Sequence, residues 1–169
     1  MALKYKLLIK WGYFKADKIF VLSNDFNIHL KKLGFQGEII ESFNPISKDI
    51  FLNAPKRDFS GDKPLKILMI SRIEESKGIF IALEAIRNLP KHKTELHIAG
   101  TGTRLDRAKT FRDDNNMKNV YFHGFVSGDE KIELLKSTDI LLFPTYHNEG
   151  LPINILESLA MGLYVITRP

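Results

Sequence analysis

The feature that most constrains this chain is an alternation. Short apolar runs rich in isoleucine, valine and phenylalanine take turns with segments whose apolar residues recur at helical spacing. Strands joined in this way through helices run parallel in one sheet, because each crossover helix carries the chain back to the end at which the next strand must start. The runs predict strands at Lys18 to Leu22, Glu38 to Ser42, Leu65 to Ser71, Glu95 to Ala99, Val120 to His123, Ile140 to Phe143 and Tyr164 to Thr167. The middle strands are nearly all apolar, as strands covered on both faces should be. The pattern therefore predicts an α/β chain.

Between the strands, Ile79, Ala82, Leu83, Ile86 and Leu89 repeat at helical spacing and Pro90 closes that helix. A further helix is predicted from about Gly102 to Arg112. Ser127 with Glu130 three residues later reads as a capping box opening the next one, which carries Ile132, Leu134 and Leu135. The segment Leu151 to Met161 is another, stopped by Gly162, and Asn24 to Leu33 is capped by Gly34. The polar stretch from Asn44 to Lys63, with Pro45, Pro55, Arg57, Asp58, Gly61 and Asp62 followed by Pro64, has the composition of a linker. Residues 1 to about 55 are too short for a domain of their own and read as the remnant of a preceding one. Pro169 follows a strand that should feed another helix, so both ends are expected to be cut.

With 169 residues and 44% hydrophobic composition the chain can bury a real core, which argues against disorder. It has no cysteine, which excludes a disulfide framework, a thiolate metal site and a cysteine nucleophile, and fits a cytoplasmic protein. The net charge of +5 favours an anionic partner: nucleic acid, a membrane surface or a phosphorylated small molecule. Nucleic acid would call for aromatics and cations interleaved on one surface, whereas the cations here scatter over turns and helices. No apolar run approaches the roughly 20 residues of a membrane span, and the lysine-dense start is no signal-peptide core. Lys4, Lys6, Lys10, Lys15 and Lys18 among Leu7, Leu8, Ile9, Trp11 and Phe14 suit either of two arrangements. One is a basic amphipathic segment resting peripherally on anionic lipid, the other a helix packed on the protein with its lysines in water.

Ligands of open α/β sheets bind outside the carboxyl ends of the strands, and four turns there carry suggestive residues. In Ser71-Arg72-Ile73-Glu74-Glu75-Ser76-Lys77-Gly78, Arg72 leaves the strand and Lys77 is expected in the first helical turn, so both cations suit one phosphate pair. They equally suit two ordinary surface cations. Gly100-Thr101-Gly102 allows a tight turn and close ligand approach, or is simple turn chemistry, and it lacks the third glycine of a dinucleotide fingerprint. His123-Gly124-Phe125-Val126 offers backbone groups to the edge of a base, with His123 itself a strand-end histidine. The last turn runs from Pro144 to Glu157 and sets Glu149 and Glu157 eight positions apart, with Pro152 well placed for a first helical turn. Carboxylates accept hydrogen bonds from sugar hydroxyls in pairs, but Glu149 can also serve a helix dipole and Glu157 can be a solvated helix residue. No Asp-any-Asp triplet and no histidine pair at ligand spacing occurs, so no metal and no cofactor beyond a substrate is expected.

Taken together, the four turns resemble the donor-binding, C-terminal domain of the GT-B glycosyltransferases of family four, the glycosyltransferase group one. The carrying residues are Ser71-Arg72 with Lys77-Gly78, Gly100-Thr101-Gly102, Gly124-Phe125-Val126, and Glu149-Gly150-Leu151-Pro152 through Glu157 to Gly162, the last with the family's two glutamates and seven residues between them. Ala16 to Ser23 resembles the last strand of the family's acceptor domain, and Phe43-Asn44-Pro45-Ile46 its turn before the linker, with Pro45 where the family has glycine and Ser47 where it has aspartate. The resemblance implies a Rossmann-like parallel sheet with helices on both faces, with residues 1–55 the acceptor-side remnant and linker and residues 56–169 the donor domain. It implies Arg72 and Lys77 on the donor diphosphate and Glu149 on the donor sugar, as the catalytic group. It further implies Glu157 on the ribose, Gly124, Phe125 and Val126 near the base, and Gly100, Gly102, Gly150 and Leu151 lining the site. The activity implied is metal-free transfer, with retention, from a nucleotide-diphosphate sugar to a glycan or lipid-linked acceptor, absent or slow in this piece alone. A nucleotide-sugar epimerase of the same architecture and a non-catalytic donor-binding module are the alternatives, and the paired glutamates favour the transferase.

Overall fold

The computed structural model describes residues 11–12, 15–52, 54–57, 63–147, 150 and 152–168, leaving aside the side chains of residues 49 and 51. The basic amphipathic reading of the first residues falls mostly outside them. The chain divides into two compact units, Met1–Pro45 with Glu149–Leu151, and Ile46–Asn148 with Pro152–Pro169.

The smaller unit is a βαβ motif. Strands β1 (Lys18–Val21) and β2 (Glu38–Glu41) pair in parallel, Lys18 opposite Glu38 and Val21 opposite Glu41, with helix α1 (Asn24–Lys32) between them. Helix α1 ends as predicted at Gly34. The Gly34 N–H donates to Lys31 and that of Phe35 to Leu30, which satisfies two carbonyls the helix end would leave open. Val21, Leu30 and Phe35 form its buried centre.

The larger unit is built on a five-stranded, wholly parallel sheet in the order β5-β4-β3-β6-β7. Its strands are β3 (Leu65–Ile70), β4 (Thr94–Ala99), β5 (Val120–Gly124), β6 (Ile140–Phe143) and β7 (Tyr164–Thr167). Each predicted strand is present to within one residue. Side chains alternate across the sheet, and both faces are covered. On one face Ile67, Met69, Leu96, Ile98 and Val120 pack against Ile79, Ala82, Leu83 and Ile86 of helix α3 (Ile79–Arg87) and Ala108 of helix α4 (Leu105–Asp114). On the other, Leu68, Ile70, Leu141 and Phe143 meet Leu134 and Leu135 of helix α5 (Gly128–Ser137) and Met161 and Leu163 around the end of helix α6 (Ile153–Ala160). Each leucine, isoleucine, valine, methionine or phenylalanine among them contributes about 1.5–3 kcal/mol when fully buried, so the central strands hold the unit together.

Several sequence expectations are corrected. Helix α4 starts at Leu105 rather than Gly102, because the intervening residues form a turn whose Arg104 N–H donates to the Ile73 carbonyl. Lys77 precedes the helix, in a single 3-10 turn (Glu75–Lys77) that Gly78 separates from α3. Ser127 is the N-cap of α5, but its side chain makes no capping bond, so the capping box is not formed. Pro152 is the residue before α6 rather than its first turn. The polar stretch that suggests a linker also holds a short helix, α2 (Lys48–Leu52), and Ile46 and Ile50 join the core of the larger unit. Arg57 donates to the carbonyls of Leu135 at 2.7 Å, Lys136 at 3.1 Å and Met161 at 3.1 Å, and also to Thr138. These are the orphan acceptors at the ends of α5 and α6, where a cation is also favoured by the helix dipoles.

From β3 the chain steps outward to β4 and β5, then returns to the far side of β3 for β6. That reversal makes the carboxyl ends of β3 and β6 the switch point of the sheet, the place where open α/β sheets take their ligands.

Candidate functional site

The loops at the carboxyl ends of β3, β4, β5 and β6 are knit into one surface. After β3, the Ser76 carbonyl accepts from Tyr146 N–H at 3.0 Å and Thr145 Oγ1 at 3.2 Å, which fastens this loop to the one after β6. Glu74 accepts from Thr103 N–H at 3.1 Å and Thr103 Oγ1 at 2.7 Å, and Ile73 N–H donates to the Thr101 carbonyl, which fastens it to the loop after β4. The bonds from Thr103 hold the Glu74 carboxyl below its ordinary pKa. Gly100 N–H donates to the Gly124 carbonyl at 2.6 Å, which joins β4's loop to β5's.

The Gly100 to Gly102 turn is where the structure says most about a weak sequence signal. A Cβ at Gly100 would lie 1.9 Å from the Ser71 carbonyl oxygen, and one at Gly102 2.4 Å from that of Ile73. The room these glycines leave is taken by the neighbouring loop's backbone. Gly124 differs: its φ is +72°, and a Cβ there would meet nothing within 4 Å. Beyond it Phe125 is 73% exposed, while Val126 is buried in the core beside α5.

Arg72 is exposed on the loop after β3, and Lys77, five residues on, is only 9% exposed. A lysine so covered requires polar or anionic partners for its ammonium. Glu149 and Leu151 lie outside the described residues. Gly150 groups with the smaller unit, where Leu22 is its nearest neighbour. Glu157, on α6, is not a solvated helix residue: its side chain is 12% exposed and pairs with Lys131 of α5. Lys131 also donates to Asn154 Oδ1 at 3.1 Å, and Asn154 Nδ2 donates to the Ile70 carbonyl at 2.9 Å, at the end of β3. His123 is engaged too, with its Nε2 3.0 Å from His97 Nδ1 and the two rings stacked.

Sequence reasoning missed Glu74, Ser76, Thr103, Lys131 and Asn154. Nothing in their spacing marks them, since each acts on a partner that only the fold brings near. Among the described residues no group of three or more histidine, aspartate or glutamate side chains could hold a metal ion, and no helix is long and apolar enough to cross a membrane.

Over residues 52–169 the chain matches the family described as glycosyl transferases group 1. An uncharacterized glycosyltransferase of Methanocaldococcus jannaschii is 27% identical over 158 residues, covering 92% of this chain and 39% of that protein. The amylovoran biosynthesis glycosyltransferase AmsK of Erwinia amylovora is 33% identical over 113 residues, 62% of this chain and 28% of that one. Among solved structures, Anabaena HepE in complex with UDP and glucose superposes with a TM-score of 0.76 at 15% identity, over 96% of this chain and 47% of HepE. The chain thus spans less than half the length of each of these proteins. The fold is that of the GT-B glycosyltransferases, and with more than half of its residues matched the chain belongs to the group 1 glycosyl transferases.

Proposed function

We propose that residues 56–169 bind the donor of a retaining glycosyltransferase, a nucleotide-diphosphate sugar, and that residues 1–55 belong to the acceptor side and the connection to it. The sugar passes to a glycan or lipid-linked acceptor. The observation that carries this reading is the joined loop surface at the reversal between β3 and β6, with Arg72 and Lys77 on the loop after β3. Breaking the bond from the anomeric carbon to the donor phosphate leaves charge on the departing diphosphate. Fixed cations beside it stabilise that charge most where water is excluded. Arg72 and Lys77 fill that role without a metal. Gly124 to Val126 line the base, Glu157 takes the ribose hydroxyls, and Glu149 with Gly150 and Leu151 takes the donor sugar. The relative named for amylovoran biosynthesis and the HepE complex with UDP and glucose support this substrate class. The lack of cysteine fits action in the cytoplasm, with peripheral contact at the membrane's inner face.

Calorimetric titration with uridine, guanosine and adenosine diphosphates and their sugar conjugates tests the reading. Binding is expected to persist in EDTA. Arg72→Ala and Lys77→Ala should each weaken diphosphate binding by about 1.5–3 kcal/mol, after circular dichroism has shown both folded, and leave the phosphate-free nucleoside unaffected. Glu149→Ala should weaken only the sugar conjugate. Abolition of binding by EDTA, or tighter diphosphate binding on loss of either glutamate, would overturn the assignment.

A further inference from the structure

Glu157 poses a physical problem if it serves the ribose. A carboxylate close to a diphosphate repels it, and more strongly in a half-buried site than in water. The fold addresses this with Lys131. Glu157 Oε2 is fully buried and its ion-pair partner is the Lys131 ammonium, so the exposure the side chain keeps lies away from that oxygen. Lys131 is itself mostly covered, at 20% side-chain exposure, and is held by Asn154 Oδ1, while Asn154 is fixed to the Ile70 carbonyl. The chain of contacts therefore runs from the backbone end of β3, which opens the Arg72 loop, through α6 and α5 to the carboxylate.

From this network we propose that Lys131 is a positioning residue for the donor: it neutralises Glu157 and pins one carboxylate oxygen so that the other is presented to the ribose hydroxyls. The proposal rests on the ribose role of Glu157 given above. Without Lys131, the buried oxygen loses its counter-charge in a poorly solvated place. The carboxylate is then no longer held in place and turns out toward water, and the ribose loses its acceptor. Asn154 sets the height of the lysine on α5 relative to β3, which is why the pair stands in fixed register with the phosphate-side loop.

The test compares the affinities of UDP and 2′,3′-dideoxy-UDP, with the guanosine pair in parallel, for the unaltered chain, Lys131→Met, Lys131→Arg and Glu157→Gln. The ratio of the two affinities isolates the hydroxyl contribution, which a merely structural lysine would not change selectively. In the unaltered chain UDP is expected to bind about tenfold or more tighter than its dideoxy form. Lys131→Met should bring the ratio close to one with dideoxy-UDP affinity retained, and Lys131→Arg should restore it. Lys131→Gln, which keeps a hydrogen-bond donor without charge, reads the same ratio should the methionine variant fail to fold. A full ratio in folded Lys131→Met together with its loss in Glu157→Gln overturns the role of Lys131 and leaves the ribose reading standing. A ratio of one in the unaltered chain overturns both.

Discussion

Two glycine turns stand side by side at the carboxyl ends of β4 and β5, hydrogen-bonded to each other, and they use glycine for different reasons. In the turn after β4, Gly100 and Gly102 are small because the backbone of the loop after β3 occupies the space a Cβ would need, at 1.9 Å and 2.4 Å. In the turn after β5, Gly124 is small because its backbone is left-handed, and the space beside it is open. The first turn is thus a joint between loops and the second a margin that a ligand can approach. In the sequence both are glycines at the end of an apolar run.

The largest effect is expected at the joint. Gly100→Ala must push the loops after β3 and β4 apart, and its φ of +137° is one that side chains avoid, so it should cost about 3 kcal/mol or more. The loss should appear as a lower midpoint in urea unfolding followed by circular dichroism. Tryptophan emission is unsuited because Trp11 lies in the smaller unit. A Gly100→Ala chain as stable as the parent would break the comparison.

At the margin the effect is smaller and of another kind. Gly124→Ala meets no clash and bears only the left-handed backbone, a cost of about 1–2 kcal/mol. It should fold, yet bind nucleoside diphosphates several-fold more weakly than the parent in the same titration, since the added methyl enters the open space. Unchanged nucleotide affinity in a folded Gly124→Ala chain would make both turns structural.

The smallest effect lies just beneath the two turns, where His97 of β4 and His123 of β5 are in contact. Burial holds the His97 pKa below its ordinary value; the hydrogen bond to Glu95 opposes this, while His123 and Lys66 add to it. The folded chain therefore resists a proton that the unfolded chain accepts. His97 does not weaken the fold above the ordinary histidine range, near pH 6.5, and stability is lost as the pH falls through that value toward the depressed pKa. Urea midpoints at pH 7.5 and 5.5 should show this drop, and His97→Asn should reduce it.

The strands and their order along the chain were legible because apolar periodicity records which residues face a core, and seven runs such as Leu65 to Ser71 became strands to within a residue. Gly34 and Gly162 were legible as stops for a local reason, since the bonds that close a helix end lie within a few residues of each other. The boundaries that moved did so where distant backbone intervened. Leu105 rather than Gly102 opens α4 where the backbone of Ile73, thirty-odd positions away, closes on the turn between them: it fills the space beside Gly102, and its carbonyl accepts the Arg104 N–H. In the sequence Arg57 is one more polar residue of a linker-like stretch, because composition cannot tell a guanidinium in water from one satisfying the carbonyl ends of two helices.

The sequence by itself determined the α/β class, the strands and the turns in which function is to be sought, because these depend on contacts or periodicities short enough to be written in neighbouring residues. Only the tertiary structure decided which glycines are joints and which face open space, and that Glu157 is paired with Lys131 rather than free in water. The physical reason is the same in each case: sterics and electrostatics act across a few ångströms of space, and the partners that supply them here are separated by nearly thirty residues of chain.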